Sequence, residues 1–320
     1  FFYICERSRH VECCPFWKDS KTMERIVECV PNISEGRRKD VIEAVVNEVR
    51  STPNVMLLDY SSDESHNRSV ITFMGEPAAV VDAAVKLAKK AAELIDLTKH
   101  TGEHPRMGAV DVIPLIPIRG ITKEETVELS KKLGERVCIE ADIPVFLYED
   151  SASAPNRTNL AAIRKGQFEG MAEKVQQDEW APDFGGRRIH PTAGVVAVGC
   201  RMPLVAFNIN LSTSDVSVAS KIAKIIRRSS GGLDCVKALG IMLEDRNIAQ
   251  VSINMTDFTR TPLYRVLEMV RFEAARYGVH VIGTEIIGLT PMRALVDCAE
   301  YYLQIEGFDA DKQVLENYIQ

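Results

Sequence analysis

Apolar positions along this chain follow two alternating periods, one suited to strands and one to helices. Ile26–Val30 reads as a short strand. Val41, Ile42, Val45, Val46 and Val49 then share one stripe of a helix over Asp40–Arg50. Val55–Tyr60 and Ser69–Gly75 predict strands joined by a polar loop, Ser61–Arg68. Pro77 suits the first turn of a helix reaching about Ile95. Ala109–Ile116 predicts a strand, Thr122 and Glu125 a capping box for a helix ending near Ala141, and Pro144–Tyr148 another strand. The polar stretch Glu149–Asn159 interrupts the pattern, and a helical piece and a loop over Trp180–Thr192 follow. A second block predicts strands at Val195–Val198, Leu204–Leu211, Val236–Leu243, Ala249–Thr256 and Val279–Gly283. Its helices fall at Asp215–Arg228, Pro262–Tyr277 and Thr290–Ile305; Ser229–Gly232 stops the first and Gly278 the second.

Strands outnumber what one doubly wound sheet of this length needs. Paired β runs between helices instead suggest β-α-β-β-α-β units, so the expected class is α/β (α+β) with roughly two such units split near residue 200. The expected domains are residues 23–200 and 201–320. Residues 1–22 show neither strand nor helix period and lack the apolar core and cleavage site of a signal peptide. They are expected to be an extension outside the fold, with the functional chain beginning at Met23.

Composition narrows the function. With 46% hydrophobic and 26% charged residues in 320, the chain can bury a sizeable core. A net charge of -6 provides no general field for nucleic acid or an anionic membrane, so any anionic substrate must be held by local Arg or Lys. The eight cysteines include no C-x-x-C pair and most sit singly in apolar runs, which reads as reduced core thiols in a cytoplasmic protein. No apolar run approaches the length of a membrane span.

Four stretches gather the chemistry. The densest is Lys99–Gly108, a loop between helix and strand that holds His100, Glu103, His104 and Arg106. Histidine exchanges protons near neutral pH, and arginine can grip a carboxylate through two parallel bonds. The same composition equally suits a polar loop that only caps a helix and pairs its own charges. His100 and His104 are four positions apart, but Gly102 and Pro105 flank the second, so no H-E-x-x-H zinc helix exists and no metal is expected. The second stretch, Val30–Arg37, passes from strand to helix; Ser34 reads as an N-cap, while Asn32 and Glu35 are less easily explained by capping. The third, Asp59–Arg68, offers Asp59, Asp63, His66, Asn67 and Arg68, or only a solvated hairpin. The fourth, Trp180–Thr192, follows two aromatics with glycines and basic residues, and either closes over a planar anionic ligand or merely links domains. Asn208 and Asn210 alternate on one strand and so share a face. P-loop, G-x-G-x-x-G and G-x-S-x-G patterns are missing.

In these stretches, from about Met23 to the C-terminus, the chain resembles the formiminotransferase family. The resemblance rests on VECVPNISEG, HNRSVITFMGEP, TGEHPRMGAVDVIPLIPIRG, EWAPDFG, LVAFNINL, NIAQVSINMTDF and GTEIIGLTP, in that order. It implies two ferredoxin-like subdomains with facing sheets around a substrate tunnel, a cytoplasmic homodimer, and transfer of a formimino group from N-formimino-L-glutamate to tetrahydrofolate, a co-substrate, in histidine degradation. It resembles the stand-alone bacterial enzymes, without the cyclodeaminase domain fused in animal relatives. The motif match makes His104 the catalytic acid and base, with Glu103 or Asp63 as orienting carboxylates. Asp59 matches the first member of a D-x-D pair in animal relatives, whereas Ser61 stands at the second. The folate segment maps to Gly185, Gly186, Arg187, Arg188, Ile189, His190, Pro191, Thr192, Ala193 and Gly194. Asn32, Glu35, Arg68 and Arg106 are the candidates for binding substrate. Two other readings stand beside this one: a related transferase using 5-formyltetrahydrofolate or N-formylglutamate, and a non-catalytic folate-binding protein.

Overall fold

A computed structural model describes residues 24–102 and 105–315. Its contacts divide the described chain between Arg201 and Met202 into two compact units.

The first unit is built on seven strands. β1 (Ile26–Cys29) and β2 (Asn32–Ile33) both lie between β4 (Arg68–Gly75) and β5 (Val110–Arg119), all antiparallel. Pro31 breaks the first strand in two because it has no N–H to donate, though its carbonyl still accepts from Ile71 at 3.0 Å. β3 (Val55–Asp63) pairs β4 at the outer edge, and parallel β7 (Val196–Cys200) and β6 (Val145–Leu147) extend the sheet beyond β5. Three helices cover one face: α1 (Lys39–Arg50), α2 (Pro77–Leu94) and α3 (Lys123–Ala141). Their apolar stripes, Val41, Ile42, Val45, Val46 and Val49 among them, pack on Val27, Cys29, Ile71, Phe73, Ile113 and Leu115. Pro77 starts α2, and the Thr122–Glu125 capping box opens α3 with both reciprocal bonds made, at 2.9 and 3.1 Å. On the opposite face α4 (Leu160–Arg164) and α5 (Gln167–Lys174) bury Ile163 and Met171 against Val112, Phe146, Tyr148 and Ala197.

Two local expectations are corrected here. Half of the polar stretch Ser61–Arg68 is strand: β3 runs to Asp63 and β4 begins at Arg68, with Ser61 opposite Val70 and Ser62 opposite Ser69. The two serine hydroxyls meet across the ladder at 2.7 Å, so polar residues continue the pairing and only 64–67 turns. Ser34 does not cap a helix. α1 starts later, at Lys39, and the buried Ser34 hydroxyl donates to the Gly108 carbonyl at 2.7 Å.

The second unit runs strand, helix, strand, strand, helix, strand. Its elements are β8 (Val205–Leu211), α6 (Val216–Ile226), β9 (Val236–Leu243), β10 (Ile248–Met255), α7 (Leu263–Ala275) and β11 (Val281–Ile287). The sheet order is β11-β8-β10-β9, antiparallel throughout. Alternate residues of β8 and β10, from Val205 to Leu211 and Ala249 to Met255, pack under α6 and α7. The other face carries Asn208, Asn210, Gln250 and Glu285. α8 (Met292–Leu303) follows, with Ala294 in the same core. Gly278 ends α7 as expected, at φ 66° where a side chain would be strained. No helix among the described residues is long and apolar enough to cross a membrane.

Candidate functional site

The fold draws all four chemical stretches of the sequence together around one end of β5. Asn67, in the hairpin turn at φ 51°, is the staple. Its amide oxygen accepts from the Gly36 N–H at 2.9 Å, its amide nitrogen donates to the Thr101 carbonyl at 3.0 Å, and its own carbonyl sits 3.0 Å from His100 Nε2. Glycine is required where these loops touch. A Cβ on Gly36 would lie 2.2 Å from the Asp63 carbonyl, and one on Gly102 would lie 2.5 Å from the His66 carbonyl. The fourth stretch joins from the far side: Ala109 N donates to Ala193 O at 2.9 Å, Val195 N to Met107 O at 3.1 Å, and Leu97 N to Thr192 O at 2.9 Å.

Glu103 and His104 lie outside the described residues, but the chain on both sides of them is firmly held. Arg106 is the anchor. It is 7% exposed, and its guanidinium makes a two-pronged pair with Glu169 at 2.9 and 2.7 Å. The remaining donors go to Gln167 at 3.1 Å, His100 Nδ1 at 3.2 Å and the His100 carbonyl at 3.3 Å. The carboxylate that Arg106 grips in this structure belongs to α5. Arg106 in turn holds the Glu169 carboxyl below its ordinary range, against a smaller opposing effect of burial. His100 is equally committed. An arginine can only donate, so Nδ1 is the acceptor and Nε2–H must be the donor to Asn67. Burial first, then the charge of Arg106, lowers its pKa despite the Asn67 bond, and the ring stays neutral. Of the two imidazoles in this loop, His100 is structural.

The other predicted groups divide sharply. Glu35, 3% exposed, accepts from the backbone N–H groups of Arg37 and Arg38, both at 2.9 Å, and from Arg38 Nε at 2.5 Å. Burial pushes its pKa up, but these bonds outweigh it and the carboxyl titrates low. Glu35 thus caps the turn into α1, the role the sequence seemed to give Ser34. Asp63 accepts from the amides of Ser65 and His66 at 2.9 Å and pairs with His66 Nδ1 at 2.7 Å, which likewise overcome burial and lower its pKa. Its carboxylate is committed to His66. Asn32 bridges Val30 O, at 3.0 Å, and the Arg68 guanidinium. Arg68 differs from the rest, because its Nε is buried with no partner among the described residues.

Within 185–194, Arg187 pairs with Asp178 and donates to Gln176 O at 2.7 Å, while Arg188 grips Asp142 at 2.5 Å. Both guanidinium groups brace the loop. His190 turns Nδ1 inward to accept from Ala193 N at 2.9 Å, and burial lowers its pKa. Gly194, at φ 69°, lies so close to Met107 that a Cβ would meet its carbonyl at 2.2 Å. Gly186 has the opposite character, with nothing within 4 Å of a Cβ placed there, so a flat ligand can approach the backbone. Sequence reasoning missed the residues that hold this assembly: Asp111, Arg157, Arg164, Gln167 and Glu169. One signal was present, since Asp111 is a lone carboxylate in the apolar strand AVDVIPLIPI and, 2% exposed, had to find a cation.

These features define a protein of two α+β units whose first unit buries a network of charges around a glycine-bounded loop. Residues 26–201 match the formiminotransferase domain, N-terminal subdomain, and residues 206–317 match the formiminotransferase domain. The chain belongs to the formiminotransferase family. It is 60% identical to a glutamate formimidoyltransferase of Streptococcus pyogenes serotype M1, over 93% of this chain and 99% of that protein. A glutamate formimidoyltransferase of Thermoplasma acidophilum is 47% identical, over 89% of this chain and 94% of that one. The formimidoyltransferase-cyclodeaminase of Mus musculus is 44% identical over 89% of this chain, which spans 53% of that protein.

Proposed function

We propose that this chain transfers the formimino group of N-formimino-L-glutamate to tetrahydrofolate, releasing 5-formiminotetrahydrofolate and L-glutamate. The observation that carries this reading is the near-complete correspondence with a relative named for that activity, 60% identical over 99% of its length. The convergence of the four motif stretches on one end of β5 supports it. Each unit is read as a ferredoxin-like subdomain, on the strength of its strand-helix-strand-strand-helix-strand core.

Tetrahydrofolate, when bound, supplies N5, the nucleophile that accepts the one-carbon unit. The backbone of Gly185–Gly194 holds it, with the open side of Gly186 against the flat ring and Arg187 and Arg188 keeping the loop in shape. His104 takes the proton that N5 must lose and returns one to the nitrogen through which glutamate leaves; an imidazole near its ordinary pKa can do both in turn. Glu103 orients that ring. Arg106 and His100 fix the loop that carries it, and Arg68, with Asn32 beside it, faces a substrate carboxylate. Proton transfer of this kind contributes about 10²–10⁴-fold, and alignment of the two substrates supplies much of the rest.

The test is an absorbance assay for 5-formiminotetrahydrofolate with the purified full chain. His104→Ala should fold as wild type, keep its affinity for folate, and lose about 10²-fold or more in turnover. Turnover close to wild type would remove His104 from this role, and no product from the wild-type chain would end the assignment of activity.

A further inference from the structure

Arg68 lies close to a second arginine, Arg164, which is paired with the buried carboxylate of Asp111. Asp111 accepts from the Met107 N–H at 2.9 Å through one oxygen and from Arg164 Nη2 at 2.5 Å through the other. Arg164 closes α4, whose last carbonyls are gripped by the ammonium of Lys174 at 2.6 Å, so its backbone is a rigid mount. Arg68 reaches the same place across β2, where its partner Asn32 sits opposite Val112, the neighbour of Asp111. Burial is the chief cause that lowers the pKa of Arg68; Arg164 adds to it, and Asp111 and then Asp63 oppose it. Among the described residues the cluster thus holds two guanidinium groups beside one buried carboxylate, Asp111, with the partly exposed Asp63 also acting on Arg68. Asp63, the other nearby acid, turns its oxygens toward Ser65 and His66.

Among the described residues, the cluster carries unused donors. Nε of Arg68 and Nε of Arg164 are both buried, and neither has an acceptor among the described residues. A buried guanidinium N–H without a partner is costly, and proteins rarely keep two together without an anion to receive them. Arg157 is a useful contrast. Its Nε is also unpaired, but its terminal nitrogens reach Asp183 and the carbonyls of Glu179 and Ala181, and the group lies 5.5 Å from the Phe146 ring centre. That arginine is used up structurally, whereas Arg164 and Arg68 each have one acceptor among the described residues.

We propose that Arg68 and Arg164 form a carboxylate-binding site that takes a glutamyl carboxylate of the formimino donor, and that Arg164 is a specificity-determining residue for that substrate. The proposal rests on the assigned reaction for the identity of the ligand but not for the existence of the site. The same chemistry could come from the glutamate tail of the folate, and the experiment separates the two sources.

Calorimetry with the full chain, titrated with L-glutamate, glutarate and p-aminobenzoylglutamate, needs no turnover. Arg164→Lys keeps a charge for Asp111 but loses the planar set of donors. It should melt near the wild-type temperature, weaken L-glutamate and glutarate about 10- to 100-fold, raise the KM for the donor to match, and leave p-aminobenzoylglutamate binding and the KM for tetrahydrofolate unchanged. Wild-type glutamate affinity in this variant would mean that Arg164 only neutralises Asp111. A loss confined to p-aminobenzoylglutamate would place the folate tail there instead. Either result overturns the proposal. Asp111→Asn supplies the second arm, since it retains an acceptor for Met107 while releasing Arg164. It should bind L-glutamate at least as tightly as wild type, whereas a purely structural role would weaken binding in both variants. If Arg164→Lys does not fold, weaker glutamate binding by Asp111→Asn alone defeats the proposal. A wild-type chain that binds glutamate through Arg164 yet forms no 5-formiminotetrahydrofolate would sink the assigned reaction and leave this site standing.

Discussion

The two units bury most of their polarity in different chemical forms, although Glu273, paired with Arg276 at 2.6 Å, is a hidden ion of the second unit as well. In the first, Arg106 with Glu169, Arg157 with Asp183 and Arg164 with Asp111 are ion pairs in which at least one member is hidden from solvent. In the second, the face of the sheet away from α6 and α7 is held by amides: Gln250 donates to Asn210 at 2.8 Å and to Glu285 at 3.2 Å, and Asn208 accepts from Ile253 N at 3.3 Å. A buried ion left without its partner is punished severely, whereas a neutral amide that loses one bond is punished mildly. The first unit is thereby tuned to hold a few side chains at fixed positions, and the second to offer a polar face that tolerates change. Binding anions and moving protons call for the first arrangement.

The sharpest way to break this contrast is to remove one member of a buried pair. Asp183, 11% exposed at its side chain, accepts from the Leu147 N–H at 2.7 Å and from Arg157 at 2.8 Å. Asp183→Ala leaves the Arg157 cation buried and should destabilise the protein by about 3–5 kcal/mol. Urea unfolding with intrinsic fluorescence measures this. A loss below about 1 kcal/mol, the scale of an exposed pair, would show that the ion pairs of the first unit are no more critical than surface ones.

A gentler test uses pH. Burial lowers the pKa of both His100 and His190, so each ring takes up its proton at lower pH in the folded chain than in the unfolded chain, which protonates below about pH 6.5. The unfolded state then binds more protons, and stability falls as pH drops through that window. Above it both states are neutral and the slope from these groups vanishes. The depressed carboxyls Glu35, Asp63 and Glu169 act lower, their contribution being present above the ordinary carboxylate range and lost as pH falls through it. The decline that sets in just below about pH 6.5 is thus a property of these two imidazoles. His100→Gln, which keeps a donor for Asn67, should flatten it. An unchanged slope in thermal midpoint against pH would show that His100 does not titrate as its surroundings require.

How much of this could be read from the sequence depended on distance along the chain. The capping box at Thr122 and Glu125, Pro77, Gly278 and the valine stripe of α1 are local signals, and each marks its element directly. The hairpin was misread because Ser61 and Ser62 looked like loop residues, whereas cross-strand pairing with Val70 and Ser69 decides their conformation. The motif stretches were visible as clusters of charge, yet the duty of each residue was not. Arg164 finds Asp111 from 53 positions away, and Arg106 finds Glu169 from 63, separations at which no periodicity or spacing reports a partner. Asp111 announced only that it needed a cation. Arg106 looked free to serve a substrate, and Asp63 to orient His104, because their protein partners were out of sight.

The smallest effect belongs to the second unit and completes the comparison. Gln250 is 2% exposed, opposite Asn210 and Ile241 in the ladder, and its side chain is a neutral donor to Asn210 and Glu285. Gln250→Met keeps the volume and removes those bonds, leaving two acceptors short of a donor. The expected cost is about 1 kcal/mol, because Glu285 is exposed and recovers its bond from water, so that Asn210 alone pays for the loss. Thermal unfolding of the variant beside Asp183→Ala gives the ratio directly. If the methionine variant lost as much as the aspartate variant, the amide face would be as demanding as the buried ion pairs, and the division of labour between the units would have to be redrawn.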